Sequence, residues 1–164
     1  MWLSDRRGFL LGTLAVALAG CGFAPVYGPG GAGGRLLGRV AVDEPADDNS
    51  YYLVRRLEER LGRGADPRFG LSLALDVKDE RVAVTANNTT TRYNVIGKAT
   101  YALRDLGDGK VLLSGNVDSF TGYSATGTTV ATRAAERDAY ERLMTILADQ
   151  IVTRLEAGAG ALPE

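Results

Sequence analysis

Apolar and polar residues alternate in the middle of the chain, which is the pattern of a strand with one buried face. Leu or Val occupies every odd position of residues 71–77, and shorter or polar residues lie between them. The charged segment 78–81 interrupts the alternation, and Val82 and Val84 resume it. We expect a strand that is interrupted at this segment or carries a bulge there.

Two further segments, 92–105 and 111–123, alternate in the same way. The Gly-Asp-Gly sequence at 107–109 between them has the composition of a hairpin turn. A shorter apolar segment at 36–42 is followed by Asp-Glu-Pro and predicts the first strand. The chain is therefore expected to contain four strands.

A helix is predicted between the first two strands. Residues 47–50 are Asp, Asp, Asn and Ser, which are favoured at helix starts. Leu53, Leu57 and Leu61 then recur every four residues and form one apolar stripe that ends near residue 63. Charged residues occupy the opposite face, as expected for a helix that packs on a sheet.

A second, longer helix is predicted over residues 130–156. Tyr140, Met144, Leu147, Ile151 and Leu155 are three or four positions apart and form an apolar stripe. Leu143 and Ile146 widen this stripe. The element order is then β-α-β-β-β-α. This order predicts an α/β fold, a two-layer sandwich in which a four-stranded sheet carries both helices on one face.

Residues 1–20 have the pattern of a signal peptide. Asp5-Arg6-Arg7 forms a charged start, and the uncharged, mostly apolar run that follows at 9–19 is too short to span a bilayer. Leu18-Ala19-Gly20-Cys21 closes this run and resembles the lipobox of bacterial lipoproteins. We therefore expect cleavage before Cys21 and a membrane anchor of several acyl chains on this residue. The arginine pair leaves both Sec and twin-arginine export open.

The rest of the chain divides into a tether, a domain and a tail. Residues 21–34 contain the lipidated cysteine and a Gly/Pro-rich sequence, which favours a flexible tether. The α/β domain is expected over residues 35–156. Residues 157–164 are rich in Gly and Ala and are expected to form a flexible tail.

The composition argues against several classes of function. The 164 residues include 19 basic and 20 acidic side chains, and this balance disfavours a nucleic-acid binder. The sequence contains no histidine, which is the commonest general base and metal ligand. The single cysteine cannot form an internal disulfide or a multi-cysteine metal site. Asp76, Asp79 and Glu80 are interpreted as surface charge. We expect no catalytic residues, no metal and no cofactor, and hence no enzyme.

The candidate binding residues lie at and after the loop between the second and third strands. The side chains of residues 85–91 are short and mostly polar. The expected loop tip consists of Asn87, Asn88 and Thr89. Arg92, Lys98 and Arg104 follow at even positions of the third strand, which places them on one face. We expect Arg92 and Lys98 to pair with phosphate groups of an anionic lipid; the alternative is an ordinary solvated face.

Five segments resemble the lipopolysaccharide-assembly lipoproteins (LptE family) of alphaproteobacteria. They are Cys21-Gly22-Phe23-Ala24-Pro25-Val26-Tyr27, Tyr52-Leu53-Val54-Arg55-Arg56-Leu57, Arg92-Tyr93-Asn94, Ala99-Thr100-Tyr101-Ala102-Leu103 and Ala148-Asp149-Gln150-Ile151. The resemblance spans nearly the whole chain and preserves the order of the elements. It implies an outer-membrane lipoprotein with a two-layer α/β fold.

The resemblance also implies partners. LptE proteins sit inside the barrel of LptD, assist its assembly and contact lipopolysaccharide on its way to the cell surface. The lipid-anchored domain would lie on the periplasmic side or within the barrel lumen. The resemblance does not indicate which residues bind lipopolysaccharide, so the choice of Arg92 and Lys98 rests on strand geometry alone. Two other classes stay open: an auxiliary lipoprotein of a phospholipid or ABC-type transport complex, and a pilotin-like chaperone.

Overall fold

The computed structural model describes residues 32–84 and 90–163. The strands are β1 (Val40–Val42), β2 (Phe69–Val84), β3 (Thr90–Asp105) and β4 (Val111–Ser124), and the helices are α1 (Asp48–Leu61) and α2 (Thr129–Gly158). Short 3-10 turns precede β1 at Ala32–Arg35 and follow α2 at Ala159–Ala161. The order of strands and helices, β-α-β-β-β-α, is the predicted one.

The strands form one mixed sheet in the order β1-β2-β3-β4. β1 pairs with β2 in parallel, and the other neighbouring strands are antiparallel. The odd positions of β3 face the helices, and the buried ones are Val95, Gly97, Ala99, Tyr101 and Leu103. These side chains form one core with the apolar stripes of both helices. The predicted two-layer sandwich is therefore confirmed.

α1 begins at the helix-start residues that the sequence indicates. The Asp47 carboxylate accepts a hydrogen bond from the Ser50 backbone N–H at 2.7 Å, and the Ser50 hydroxyl oxygen accepts one from the Asp47 N–H at 2.8 Å. This reciprocal pair is a capping box. The helix ends at Leu61, and Gly62 follows with a φ of 74°, a conformation that glycine adopts without strain.

The two helices pack side by side and share one carboxylate. Asp149 of α2 accepts hydrogen bonds from Arg56 at 3.2 and 3.3 Å and from Arg60 at 2.8 Å, both on α1. The hydrogen bonds from Arg56 to Asp149 hold the pKa of Arg56 above its usual value. The segments 52–57 and 148–151, which carry part of the family resemblance, therefore meet at this contact.

The strands differ from their predicted extents at two places. β1 has only three residues, because Leu36 is buried in the core ahead of it and Leu37 is exposed. β2 is continuous through 78–81, where its backbone pairs with β3, and its register shifts only between Arg81 and Val84. Residues 78–81 are exposed, so charge is tolerated there on both faces of the strand without interrupting the backbone pairing.

Both ends of the domain differ from the predicted boundaries. Ala159 and Leu162 are buried, although they belong to the segment expected to form a flexible tail. The Arg35 guanidinium donates a hydrogen bond to the Leu162 carbonyl at 3.2 Å. The turn at Ala32–Arg35, most of which lies in the expected tether, therefore sits beside the C-terminal residues. Apolar side chains from both ends close this side of the core.

One residue of the predicted α2 stripe lies outside it. Ile146 is 37% exposed, whereas Ala148 and Val152 are buried. The reason is that α2 packs against α1 as well as against the sheet, so its buried surface extends towards α1 and away from Ile146.

Several predicted features lie outside the described residues, namely the signal peptide, Cys21 and the loop tip Asn87, Asn88 and Thr89. Within residues 32–84 and 90–163, no helix has both the length and the apolar character needed to cross a membrane.

Candidate functional site

The sheet face opposite the helices contains the predicted cations and is the candidate site. We call it the open face. It comprises the even positions of β3 from Arg92 to Arg104 together with their cross-strand neighbours. The middle of this face carries the short side chains Ser72, Ala74, Thr100, Ala102, Ser114 and Asn116. Charged and large side chains lie towards its two ends.

Arg92 and Lys98 are both exposed on the open face. Six residue steps of β3 separate them, which corresponds to roughly 20 Å along a strand. The fold therefore puts the two cations on the same face but too far apart to hold one phosphate group together.

Lys98 stands between two carboxylates. Its direct cross-strand neighbours are Asp76 on β2 and Asp118 on β4. Lys78 also approaches this group, with its Nζ 3.6 Å from an oxygen of Asp76. Two lysines and two aspartates balance one another, so the attraction of Lys98 for a lipid phosphate is weakened.

Arg92 has a different environment. Its cross-strand neighbours are Ala83 and Ser124, which carry no charge. Its Nε lies 3.8 Å from the point that a Cβ on Gly122 would occupy, so the guanidinium extends over β4. Arg92 is therefore the better placed of the two predicted cations for binding an anion.

Arg104, the third cation of this strand face, is held by the protein itself. Its guanidinium lies 2.8 Å from the Asp43 carboxylate and also contacts the Ser72 hydroxyl. These contacts join the segment after β1 to the sheet. Arg104 thus has a structural role at this end of the open face.

Phe120 is a residue of the open face that the sequence reasoning missed. Its side chain is 65% exposed, and its cross-strand neighbour on β3 is Ile96. The alternation of β4 does contain the signal, because Val117 faces the core and Phe120, three positions later, must face the other way. An apolar spot thus lies between Arg92 and Lys98.

Three tyrosines fix the other side of the sheet at the same end. The rings of Tyr93 and Tyr123 stack with centroids 5.2 Å apart, and the Tyr140 hydroxyl donates to the Asp79 carboxylate at 2.8 Å. Burial, reinforced by the nearby Glu136 carboxylate, raises the pKa of Tyr123 to about 12. Asp79 is therefore not a simple surface charge, because it anchors α2 to β2.

The open face is a surface suited to contact with another molecule. Within residues 32–84 and 90–163, no polar or charged side chain is buried, and no group of three or more Cys, Asp or Glu side chains could hold a metal ion. A small sandwich with one open, largely polar sheet face has the features of a binding or assembly protein.

A sequence profile of the LptE family, described as lipopolysaccharide-assembly, matches residues 37–155. The match extends from just before β1 nearly to the end of α2 and covers more than half of the chain. The chain belongs to the LptE family of lipopolysaccharide-assembly lipoproteins. The family consists of assembly lipoproteins of the outer membrane and not of enzymes.

Solved structures of other bacterial lipoproteins have the same fold. A crystal structure of a lipoprotein from Caulobacter crescentus is 21% identical, with a TM-score of 0.67, and the match covers 79% of this chain and 98% of that one. The rare lipoprotein B of Shewanella oneidensis is 13% identical, with a TM-score of 0.55, and 72% and 92% of the two chains are covered. A minor lipoprotein of Acinetobacter baumannii is 14% identical, with a TM-score of 0.52, and the match covers 72% of this chain and 90% of that one. No curated protein matches the sequence.

Proposed function

We propose that this lipoprotein forms a complex with the LptD barrel in the outer membrane and assists lipopolysaccharide transport and assembly at the cell surface. The observation that carries the proposal is the open face, whose middle consists of short, mostly polar side chains. Such a surface fits closely against another polar surface, and the interior of an outer-membrane barrel is polar. Membership of the LptE family supports the choice of the barrel as the partner.

One end of the open face is the proposed contact for lipopolysaccharide. Arg92 offers a guanidinium to a phosphate group, and Phe120 with Ile96 offers an apolar surface nearby. Lys98 contributes less, because Asp76 and Asp118 flank it. Asn87, Asn88 and Thr89 precede β3 in the sequence, and we propose that their amide and hydroxyl groups form hydrogen bonds with the sugars of lipopolysaccharide.

The proposed anchor is a lipidated Cys21. Intact-mass measurement of the membrane-extracted protein should show acyl chains on this residue, and Cys21→Ser should release a soluble or unprocessed form. A mature protein with an unmodified thiol would refute the anchor.

The complex is tested by purification of the full-length protein from membranes in mild detergent. We expect LptD to co-purify in near-equal amount. Recovery of an inner-membrane transporter instead would favour an auxiliary lipoprotein of a transport complex, and recovery of a secretion barrel would favour a pilotin-like chaperone.

A further inference from the structure

A groove of about 330 Å³ lies between the first turns of α1 and the N-terminal half of α2, on the helical layer and away from the open face. Its walls are Asp48, Asn49 and Tyr52 of α1 and Arg133, Glu136, Arg137 and Tyr140 of α2. The four α2 residues follow the spacing that puts side chains on one helix face. Both helices therefore present polar and aromatic groups to one shared space.

The two arginines of this groove differ from half of the arginines that the structure describes, which pair with a carboxylate. Seven others lie within salt-bridge distance of a carboxylate: Arg55, Arg56, Arg60, Arg63, Arg68, Arg104 and Arg142. Among residues 32–84 and 90–163, no carboxylate lies within that distance of Arg133 or Arg137. Both side chains are exposed and lie one helical turn apart. Two guanidinium groups are thus available to one oxyanion.

The remaining residues that line the groove are suited to bind the hydroxyl groups and the ring of a ligand. Asp48 and Glu136 accept hydrogen bonds, and Asn49 both donates and accepts them. Tyr52 and Tyr140 are half-buried and give the groove aromatic walls. The two carboxylates repel a bare anion. A ligand that binds here must therefore also carry hydroxyl groups that donate hydrogen bonds to these carboxylates.

We propose that this groove binds an anionic saccharide, whose phosphate or carboxylate group lies between Arg133 and Arg137 and whose hydroxyl groups face Asp48, Asn49 and Glu136. The saccharide is either a soluble sugar phosphate or the headgroup of a glycolipid, because both present the same groups. The site does not require the complex with LptD, and it uses neither Arg92 nor Lys98.

The test is calorimetric titration of the full-length protein, in non-ionic detergent, with glucose 6-phosphate, glucose and inorganic phosphate. We expect glucose 6-phosphate to bind at least about tenfold more tightly than either of the others, since only it uses both halves of the groove. The variant Arg133→Gln/Arg137→Gln should weaken its binding by at least about tenfold. The control variant Arg39→Gln/Arg154→Gln, which removes two exposed positive charges elsewhere, should bind like the unmodified protein.

The results separate this proposal from the proposed function. Absence of glucose 6-phosphate binding, equal binding of inorganic phosphate, or unchanged binding by the groove variant with an unchanged melting temperature would overturn it. A parallel capture of lipopolysaccharide identifies the source: a loss in the groove variant indicates a glycolipid headgroup, and unchanged capture indicates a soluble sugar phosphate. Failure of LptD to co-purify would contradict the complex and leave these binding results unaffected.

Discussion

Asp47 shows how one side chain defines the start of α1. Its carboxylate accepts the Ser50 N–H, and this hydrogen bond is the main reason that the pKa of Asp47 lies below its ordinary value of 3.8. A carboxyl group with a lowered pKa stabilises the fold above its unfolded pKa, and this contribution disappears as the pH falls through the folded pKa.

Replacing Asp47 with Ala should therefore lower the free energy of unfolding by about 1 kcal/mol at pH 7. The difference from the unmodified protein should shrink as the pH is lowered from 7 to about 2, because the carboxyl group gains a proton as the pH falls through its lowered folded pKa. Urea denaturation at both pH values measures this. Asp66→Ala, in the loop before β2, removes a carboxylate that caps no helix and should have little effect. A pH-independent loss in Asp47→Ala would contradict the role of the charge.

The environment of Lys98 leads to a second prediction. Lys98→Glu would place a third carboxylate between Asp76 and Asp118, and like charges in directly opposed strand positions repel. We expect it to be less stable than Lys98→Gln by about 0.5–1 kcal/mol, whereas Arg92→Glu and Arg92→Gln should be nearly equal, since their neighbours are uncharged. Thermal melts of the four variants measure the difference. Equal melting temperatures for the two Lys98 variants would show that the carboxylates do not act on this position.

Residues also mark the limit of what alternation could predict. It placed Arg92 and Lys98 on the correct strand face, because side chains on a strand have a period of two. It did not reveal the aspartates beside Lys98, since these depend on the register of β2 and β4 against β3. The groove around Arg133 was equally out of reach, because its two walls lie some 80 residues apart in sequence.

At the scale of elements, the contact of α1 with α2 depends on Asp149, which accepts hydrogen bonds from Arg56 and Arg60. Asp149→Asn keeps the shape of the side chain but removes its negative charge. We expect it to lower the free energy of unfolding by about 1 kcal/mol. Asp138→Asn is the matched control, because the ion pair that Asp138 forms among the described residues is with Arg142, within α2. Denaturation of both variants tests the expectation. An equal effect in the two would mean that the bridge between the helices contributes no more than a surface pair.

The elements themselves were predictable where one face is buried and the other is not. β3 and both helices follow this rule, so their positions were correct to within a few residues. The rule fails at 78–81 of β2, where both faces are exposed and backbone pairing alone maintains the strand. It also fails at Leu162, a single apolar residue in a Gly/Ala-rich segment, whose burial depends on contact with the distant start of the domain.

At the scale of the whole molecule, the two sides of the domain differ in chemistry. The helical side carries arginine–carboxylate pairs and the groove, and the open face carries short side chains in its middle. A surface that must fit closely inside a partner needs short side chains, since long charged ones would have to be ordered and desolvated on binding. The open face is therefore the side expected to contact the barrel wall.

Replacing Thr100 with Trp tests this orientation. Thr100 is exposed in the middle of the open face, with Ala74 and Asn116 beside it, so an indole there would protrude and prevent close approach. We expect this variant to recover much less LptD in a detergent pull-down, while its melting temperature changes little because the site is exposed. Thr145→Trp, on an exposed position of α2, is the control and should recover LptD normally. The reverse pattern, loss in Thr145→Trp and normal recovery in Thr100→Trp, would mean that the helical layer faces the barrel and that the open face is left for another partner.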